Sequence, residues 1–571
     1  MKRSFIPSIY ILTFLLSLSL QAQTIPPKRE VRAVWLTTIG GLDWPKQKAN
    51  SAQGIERQKK ELTQILDQLA AANFNTVFLQ TRIRSTVIYP SRLEPWDDCL
   101  TGHLDRHPGY DPLQFAIDEC HKRHLELHAW VVAFPGHNFP KAKALGRKAM
   151  QQRLPKLCIK TQDNWMLNPG EPATADYLAS ICEEIASNYD VDGIHLDYIR
   201  YPEKEVRFND AATFRKYGKG QQQSAWRRAN VDHCVETIHQ KVKSLKPWIR
   251  MSCSPVGKYD DLSRYSSRGW NALHTVHQDA QGWLTRGWMD MLVPMMYFQG
   301  DHFYPFVCDW VEHASGRIVV PGLGVYFLAD EKRKWPFEVI ERESNLTRAL
   351  GSQGQAYFRS RFVTENTQGL YDYLKKKFYP YPAFTPALSW ESEPPQAPLN
   401  ASIKHTDTTD SLCWQPVAGD HITYNVYRSY TYPVNTESIE NLLERGLSKP
   451  SLSIGKVVVT PFSPYYAITA MDRYGNESRP LAFTYRTTEP ATPVRQTICS
   501  GLLAISNDTL LLPRRNREEL IYVTDATERH LLTTPYTEKM PLSQFPNGLY
   551  ILRSLQEKGR DHFLGRILIC Q

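Results

Sequence analysis

One strand-like segment near the middle of the chain ends in a carboxylate beside aromatic and basic residues. Residues 192–202 are Asp-Gly-Ile-His-Leu-Asp-Tyr-Ile-Arg-Tyr-Pro. Alternation along a strand places His195 and Asp197 on one face, and Tyr198 and Arg200 follow directly. An acid in this setting could act as nucleophile or base in glycoside cleavage. The alternative is a structural aspartate paired with Arg200.

Glycoside cleavage usually needs a second carboxyl group, and the sequence offers several. Asp279 opens a predicted helix, where it could be the general acid or only the N-cap of that helix. Glu94, Asp43 and Asp301 lie in loops after other predicted strands. These three are weaker candidates, because loop acids are mostly solvated or form turns.

Other side chains at predicted strand ends suit a sugar-binding site. Amide and guanidinium groups hydrogen-bond to hydroxyls, and aromatic faces stack on pyranose rings. Each of them could also fill the core, and His195 could orient Asp197 instead of touching a sugar. The predicted substrate-binding residues are Trp35, Gln80, Arg82, His128, Trp130, His195, Arg200, Tyr201 and Tyr297.

The sequence predicts neither a metal nor a cofactor. His128 and His195 fall on neighbouring predicted strands, but metal-dependent barrel hydrolases often carry His-x-His after the first strand. This chain has Trp35-Leu-Thr-Thr there, and its 10 cysteines form no CxxC pair. No glycine-rich dinucleotide fingerprint follows the first strand.

The elements that must position these residues alternate between short apolar strands and amphipathic helices. Eight such alternations fit a parallel (β/α)8 TIM barrel over residues 29–382 better than an open sheet. Catalytic groups of such barrels lie at the carboxyl ends of the strands. The predicted strands are Val31–Thr37, Thr76–Gln80, Leu125–Val131, Gly193–Asp197, Ile249–Cys253, Met291–Tyr297, Ile318–Gly322 and Gln355–Phe358.

Two proline-rich breaks divide the remainder of the chain. Residues 395–487 hold short strands separated by turns and resemble a fibronectin type III β-sandwich. Residues 496–571 predict a small C-terminal β-domain. The first is typical of modules that space or bind. The second resembles the C-terminal β-sandwich domains of Bacteroidetes exported proteins, some of which are sorting signals, and a plain accessory domain is the alternative.

The first residues predict export. Lys2 and Arg3 precede an apolar run, and small or polar residues follow, so residues 1–23 fit a secretory signal peptide. No later stretch is long and apolar enough to span a membrane. The formal net charge of +9 is modest for 571 residues, and no arginine-rich run indicates nucleic-acid binding.

Several stretches together resemble the glycosyl-hydrolase-like family ten barrels, which include divisome-associated peptidoglycan glycosidases. They are Arg29-Glu-Val-Arg-Ala-Val-Trp-Leu-Thr-Thr, Asn75-Thr-Val-Phe-Leu-Gln-Thr-Arg, His107-Pro-Gly-Tyr-Asp-Pro, Leu127-His-Ala-Trp, Val191-Asp-Gly-Ile-His-Leu-Asp-Tyr, Gly287-Trp-Met-Asp and Pro294-Met-Met-Tyr. The resemblance implies a glycoside hydrolase with Asp197 as the acid of the fourth strand and Asp279 as the acid before the tryptophan-bearing helix. Many relatives carry Asp-Asp-Tyr where this chain has Leu196-Asp197-Tyr198.

We therefore expect an exported glycoside hydrolase that cleaves glycan strands, with peptidoglycan lacking stem peptides as the first substrate hypothesis. A hydrolase of another polysaccharide and a non-catalytic glycan-binding barrel are the alternatives. If the substrate is an N-acetyl sugar, its acetamide could be the nucleophile, with Asp197 orienting it.

Overall fold

The protein is described by a computed structural model. It describes residues 26–456, 463–483, 496–501, 503–506, 509–512, 520–525, 530–545, 548–555 and 561–570. The predicted signal peptide, residues 1–23, lies outside the described residues.

The first part of the chain is a closed parallel barrel, as the sequence predicts. Its eight strands are β1 (Val31–Leu36), β2 (Thr76–Arg82), β3 (Glu126–Val132), β4 (Gly193–Asp197), β5 (Arg250–Cys253), β6 (Met291–Leu292 and Met295–Met296), β7 (Ile318–Val319 and Gly322–Leu323) and β8 (Gly354–Tyr357). The strands pair in sequence order, and β8 pairs with β1 through Ala356 and Ala33, which closes the ring.

Strands β6 and β7 are each interrupted once, where the sequence predicts a continuous strand. The interruptions contain Pro294 and Pro321. Proline has no backbone N–H to donate to a neighbouring strand, so the ladder breaks there and resumes one step later.

Helices cover the outside of the barrel. The first begins after Ser51, whose side chain accepts a hydrogen bond from the Gly54 backbone, and buries Leu62, Leu66 and Leu69 against the strands. The α-helices of the barrel region are Ala52–Ala71, Asp98–Thr101, Pro112–His121, Phe139–Leu145, Met150–Arg153, Ala173–Asn188, Ala211–Tyr217, Gln223–Leu245, Ala272–Thr275, Ala280–Thr285, Tyr304–Glu312, Phe337–Ala349, Ser360–Thr364 and Leu370–Tyr373. Within the described ranges, none of the helices is both long and apolar enough to cross a bilayer.

The loop after β3 carries a small antiparallel sheet that the sequence did not predict. Its strands are Pro135–Asn138, Cys158–Lys160 and Asn164–Leu167. This sheet lengthens the wall at the carboxyl end of the barrel, on the side of β3.

Two antiparallel sheets follow the barrel. The first consists of Leu399–His405, Asp410–Gln415 and Ser451–Gly455, and the second of Leu442–Leu447, Thr423–Ser429, Tyr465–Met471 and Leu481–Phe483. The proposed fibronectin type III identity of this region stays a prediction. Trp390 at its start donates to Asp290 over 3.0 Å, and Lys28 forms an ion pair of 2.6 Å with Glu477.

The last unit, from residue 485 on, is also antiparallel. A five-stranded sheet contains Gln496–Gly501, Asp561–Cys570, Gly548–Leu555, Leu520–Asp525 and His530–Pro535, and a three-stranded sheet contains Ala504–Ser506, Thr509–Leu511 and Lys539–Pro541. Ile521, Val523, Leu552 and Ile567 are among its core residues.

Candidate active site

The carboxyl end of β4 places Asp197 where the barrel opens. Its neighbour in the register is Val132, the last residue of β3. The Asp197 side chain accepts hydrogen bonds from Trp130 Nε1 over 3.1 Å and from the Tyr198 backbone over 2.8 Å. Asp197 is therefore held by neutral donors on both oxygens.

The surroundings of Asp197 favour its protonated form. Only 5% of the residue is exposed. Burial raises the pKa of Asp197 above its usual value, while the Arg200 charge and the hydrogen bonds from Tyr198 and Trp130 oppose this rise. A carboxyl group whose pKa is raised is better suited to donate a proton than an ordinary aspartate.

Aromatic rings surround this carboxyl group. Tyr297 after β6 packs against Phe358 and Tyr326, with ring centroids 5.5 and 5.7 Å apart. Burial and the Asp197 charge raise the pKa of the Tyr297 phenol well above its usual value. The Arg200 guanidinium lies over the rings of Tyr198 at 4.8 Å and Trp270 at 5.6 Å.

Three of the other candidate acids, Glu94, Asp43 and Asp279, differ from Asp197 because each is paired with an arginine. Glu94 receives two hydrogen bonds from Arg82, of 2.7 and 2.6 Å. Burial disfavours the charge on Glu94, but the Arg82 ion pair outweighs it and lowers the pKa. Asp43 is buried, bonds to Thr37 and forms an ion pair with Arg359.

Asp279 occupies the N-cap of the helix Ala280–Thr285. Its side chain accepts from the Gly282 backbone over 3.2 Å, from Tyr259 Oη over 2.6 Å and from Arg286 over 2.8 Å. Of the two readings that the sequence leaves open, these contacts match the helix cap. Asp301, the remaining candidate, is exposed.

Residues 30–317 match the sequence model of a protein family, glycosyl hydrolase-like 10. The chain belongs to this family. It is 29% identical to glycosyl hydrolase YngK of Bacillus subtilis (strain 168), with 83% of this chain and 97% of the relative covered. It is 32% identical to glycosyl hydrolase DigH of Escherichia coli (strain K12), with 62% and 89% covered.

A solved structure, the PgaB (BpsB) glycoside hydrolase domain from Bordetella bronchiseptica, aligns with 61% of this chain and 98% of that one. The TM-score is 0.42 and the identity is 14%. The family membership confirms the family predicted from the sequence motifs and supports a glycan hydrolase.

In this glycosyl hydrolase-like 10 barrel, four of the predicted binding residues fill the interior. Trp35 Nε1 donates to His195 Nε2 over 3.1 Å, and His195 Nδ1 lies 3.0 Å from Ser252 Oγ. Both nitrogens of the His195 ring are thus used by the protein, and burial lowers its pKa well below the usual value. His128 bonds to Glu126 over 3.1 Å, towards the amino end of the strands. Of these four residues, Trp130 contacts the candidate site, because its indole N–H donates to Asp197.

Three further predicted binding residues have structural partners. The Gln80 side chain accepts from the backbones of Thr38 and Ile39, over 3.0 and 2.8 Å, and so fixes the loop after β1. Arg82 is fully buried with Glu94. Tyr201 packs against Phe208 and His277 and lies 3.2 Å from the Asn230 amide.

Arg200 and Tyr297 are the predicted binding residues that the structure brings to Asp197, together with Trp130. Trp270 and Phe358 were not predicted. Trp270 is 39% exposed in the long loop after β5. Its position in a loop that follows a barrel strand is the feature of the sequence from which Trp270 could have been predicted.

A cavity of about 190 Å³ lies at the opposite end of the barrel and is not part of this site. It is lined by Glu126 and Arg250 from the amino ends of β3 and β5 and by Arg445 of the following β-region.

Proposed function

We propose that this protein is an exported glycoside hydrolase that cleaves glycan strands of peptidoglycan from which the stem peptides have been removed. The family membership supports glycan hydrolysis, and the substrate follows the resemblance to peptidoglycan glycosidases. One observation carries the assignment of the site. Among the four candidate acids that are at least partly buried, Asp43, Glu94, Asp197 and Asp279, Asp197 alone forms no ion pair with an arginine of the described residues.

The proposed role of Asp197 is that of general acid and then general base. Its raised pKa favours a carboxyl group that protonates the oxygen of the leaving sugar. The substrate's own acetamide oxygen would attack the anomeric carbon as the glycosidic bond breaks. Water would then open the cyclic intermediate at the same carbon and return a proton to Asp197, with net retention.

The surrounding residues have supporting roles in this proposal. Trp130 orients Asp197 through its indole N–H, and Tyr198 fixes the second oxygen through its backbone. Tyr297 and Trp270 offer ring faces on which sugar rings would stack.

Product analysis tests this function. Mature protein is incubated with intact sacculi, with amidase-treated sacculi and with a panel of neutral polysaccharides, and released sugars are identified by mass spectrometry. We expect fragments from the amidase-treated sacculi. Fragments from another polysaccharide alone would replace the substrate assignment, and binding without products from any glycan would refute hydrolysis. Cell fractionation of the native host tests export.

A further inference from the structure

Two arginines lie close together at the carboxyl end of β2, Arg82 as its last residue and Arg84 two residues later, and their environments are opposite. Arg82 is fully buried and pairs with Glu94. Arg84 is half-buried, and its side chain has no hydrogen bond or ion pair with any residue in the described ranges. A guanidinium group without a counter-ion at the open end of a barrel is suited to bind an anionic ligand.

The turn that holds Arg84 is built from an uncommon backbone conformation. Arg84 and Ser85 have φ of 53° and 68°, in the left-handed region that residues with a Cβ rarely adopt. The turn is fixed by hydrogen bonds from Arg82 to Ser85 Oγ, of 3.1 Å, and from the Ile83 backbone to the Thr86 carbonyl, of 2.7 Å. The surrounding structure therefore fixes the backbone from which the Arg84 side chain extends.

The charge of Arg84 acts on the candidate active site. Burial and the Asp197 charge raise the pKa of the Tyr198 phenol, and the charges of Arg200 and Arg84 oppose this rise. Arg200 itself is paired with Glu203 at 3.0 Å. Of these two cations, Arg84 is the one left for a ligand.

A second cation on another side of the opening is also without a carboxylate partner in the described part of the chain. Lys258 follows β5, and only 5% of the residue is exposed. Its Nζ lies 2.8 Å from His302 Nδ1 and 3.1 Å from the Arg268 carbonyl. Both cations make the potential at the opening more positive.

We propose that Arg84 binds a carboxylate carried by the glycan substrate. This inference rests on the proposed function and names the feature of the substrate that is recognised. When the stem peptide is removed from a peptidoglycan strand, the lactyl group of each muramic residue is left with a free carboxylate. A strand that still carries peptide has a neutral amide at this atom, so Arg84 favours stripped strands.

The first test changes the substrate and leaves the protein intact. Amidase-treated glycan strands are compared with the same strands after carbodiimide coupling to methylamine, which converts the carboxylates to methylamides. We expect KM to rise about 10- to 100-fold on capped strands, the range for a charged hydrogen bond, with kcat nearly unchanged. Added salt should raise KM for the free carboxylate and have little effect on KM for the amide.

The second test compares Arg84→Gln with Arg92→Gln. Arg92 is exposed in the same loop region, and within the described residues its side chain has no hydrogen bond or ion pair. We expect Arg84→Gln to raise KM about 10-fold or more on free-carboxylate strands and to leave KM on capped strands as in the wild type. Arg92→Gln should match the wild type on both, and thermal unfolding checks that both variants are folded.

The outcomes separate this inference from the proposed function. If the wild-type protein cleaves free and capped strands with equal KM, Arg84 does not bind a carboxylate of the substrate, although the hydrolase assignment stands. If Arg84→Gln and Arg92→Gln behave alike while capping still raises KM, another residue is the receptor. If neither strand is cleaved, the proposed function itself fails.

Discussion

Glu343 is a buried carboxyl group whose replacement should stabilise the protein in a pH-dependent way. It lies in the helix Phe337–Ala349 and has no exposed surface, and neither carboxyl oxygen has a hydrogen-bond partner among the residues that the structure describes. Burial raises the pKa of Glu343 from 4.5 to about 9, although the charge of Arg342 opposes this rise. The folded protein thus keeps a proton that the unfolded chain releases.

The sign and size of the effect follow from this difference. Because the folded pKa is the higher one, stability is greatest below the unfolded pKa of 4.5 and falls as the pH rises towards 9. The loss is at most about 1.4 kcal/mol per pH unit. Glu343→Gln cannot ionise, so it should exceed the wild type by about 2–4 kcal/mol at pH 8 and differ little at pH 5.

Urea unfolding followed by tryptophan fluorescence at several pH values measures this difference. Glu338→Gln is the matched control, since Glu338 is exposed in the first turn of the same helix. A stability difference between Glu343→Gln and the wild type that stays constant from pH 5 to pH 8 would refute the reasoning.

Three further experiments test the site and its support. Trp130→Phe keeps a ring but removes the hydrogen bond to Asp197, so the pKa of Asp197 should rise. The pH–rate profile should then shift to higher pH by about one unit. An unchanged profile would show that this hydrogen bond does not affect Asp197. Arg82→Gln leaves Glu94 buried without its counter-charge and should lower the free energy of unfolding, measured in urea, by about 3–5 kcal/mol. Arg82→Met combined with Glu94→Gln removes both charges and should recover much of this stability. Equal losses of stability in the single and the double variant would argue against a charge effect. Asp279→Asn keeps a good helix cap, so hydrolysis rates should stay within about threefold of the wild type; a loss of 100-fold or more would make Asp279 the general acid.

The barrel could be predicted from the sequence because its signals are local. The strand Gly193–Asp197 was predicted with the bounds it has, since an apolar run bounded by polar residues marks a strand buried on both faces. The same alternation placed Asp197 at the strand end, where the structure has it. Pro294 and Pro321 are evident in the sequence. Whether each interrupts its strand depends on whether a neighbouring strand would accept a hydrogen bond from the N–H group that proline lacks.

The roles of individual polar residues could not be predicted, because they depend on side-chain contacts that the folded loops bring about and that residue spacing does not fix. Arg82 and Arg84 have the same side chain and lie two residues apart, yet only one meets Glu94. From its position in the sequence Asp279 could be an acid or a cap, and only the structure shows its contacts with Arg286 and Tyr259. Spacing alone does not reveal such contacts, since they form across loops.

The most direct test of the central claim is the release of sugar fragments from amidase-treated sacculi by the wild type and by Asp197→Asn. Asparagine keeps the size of the side chain and its acceptor for Trp130, but it cannot donate and recover a proton as an acid does. We expect the wild type to release fragments and the variant, equally stable to heat, to be slower by about 10²- to 10⁴-fold. Fragment release by Asp197→Asn at the wild-type rate would contradict this claim.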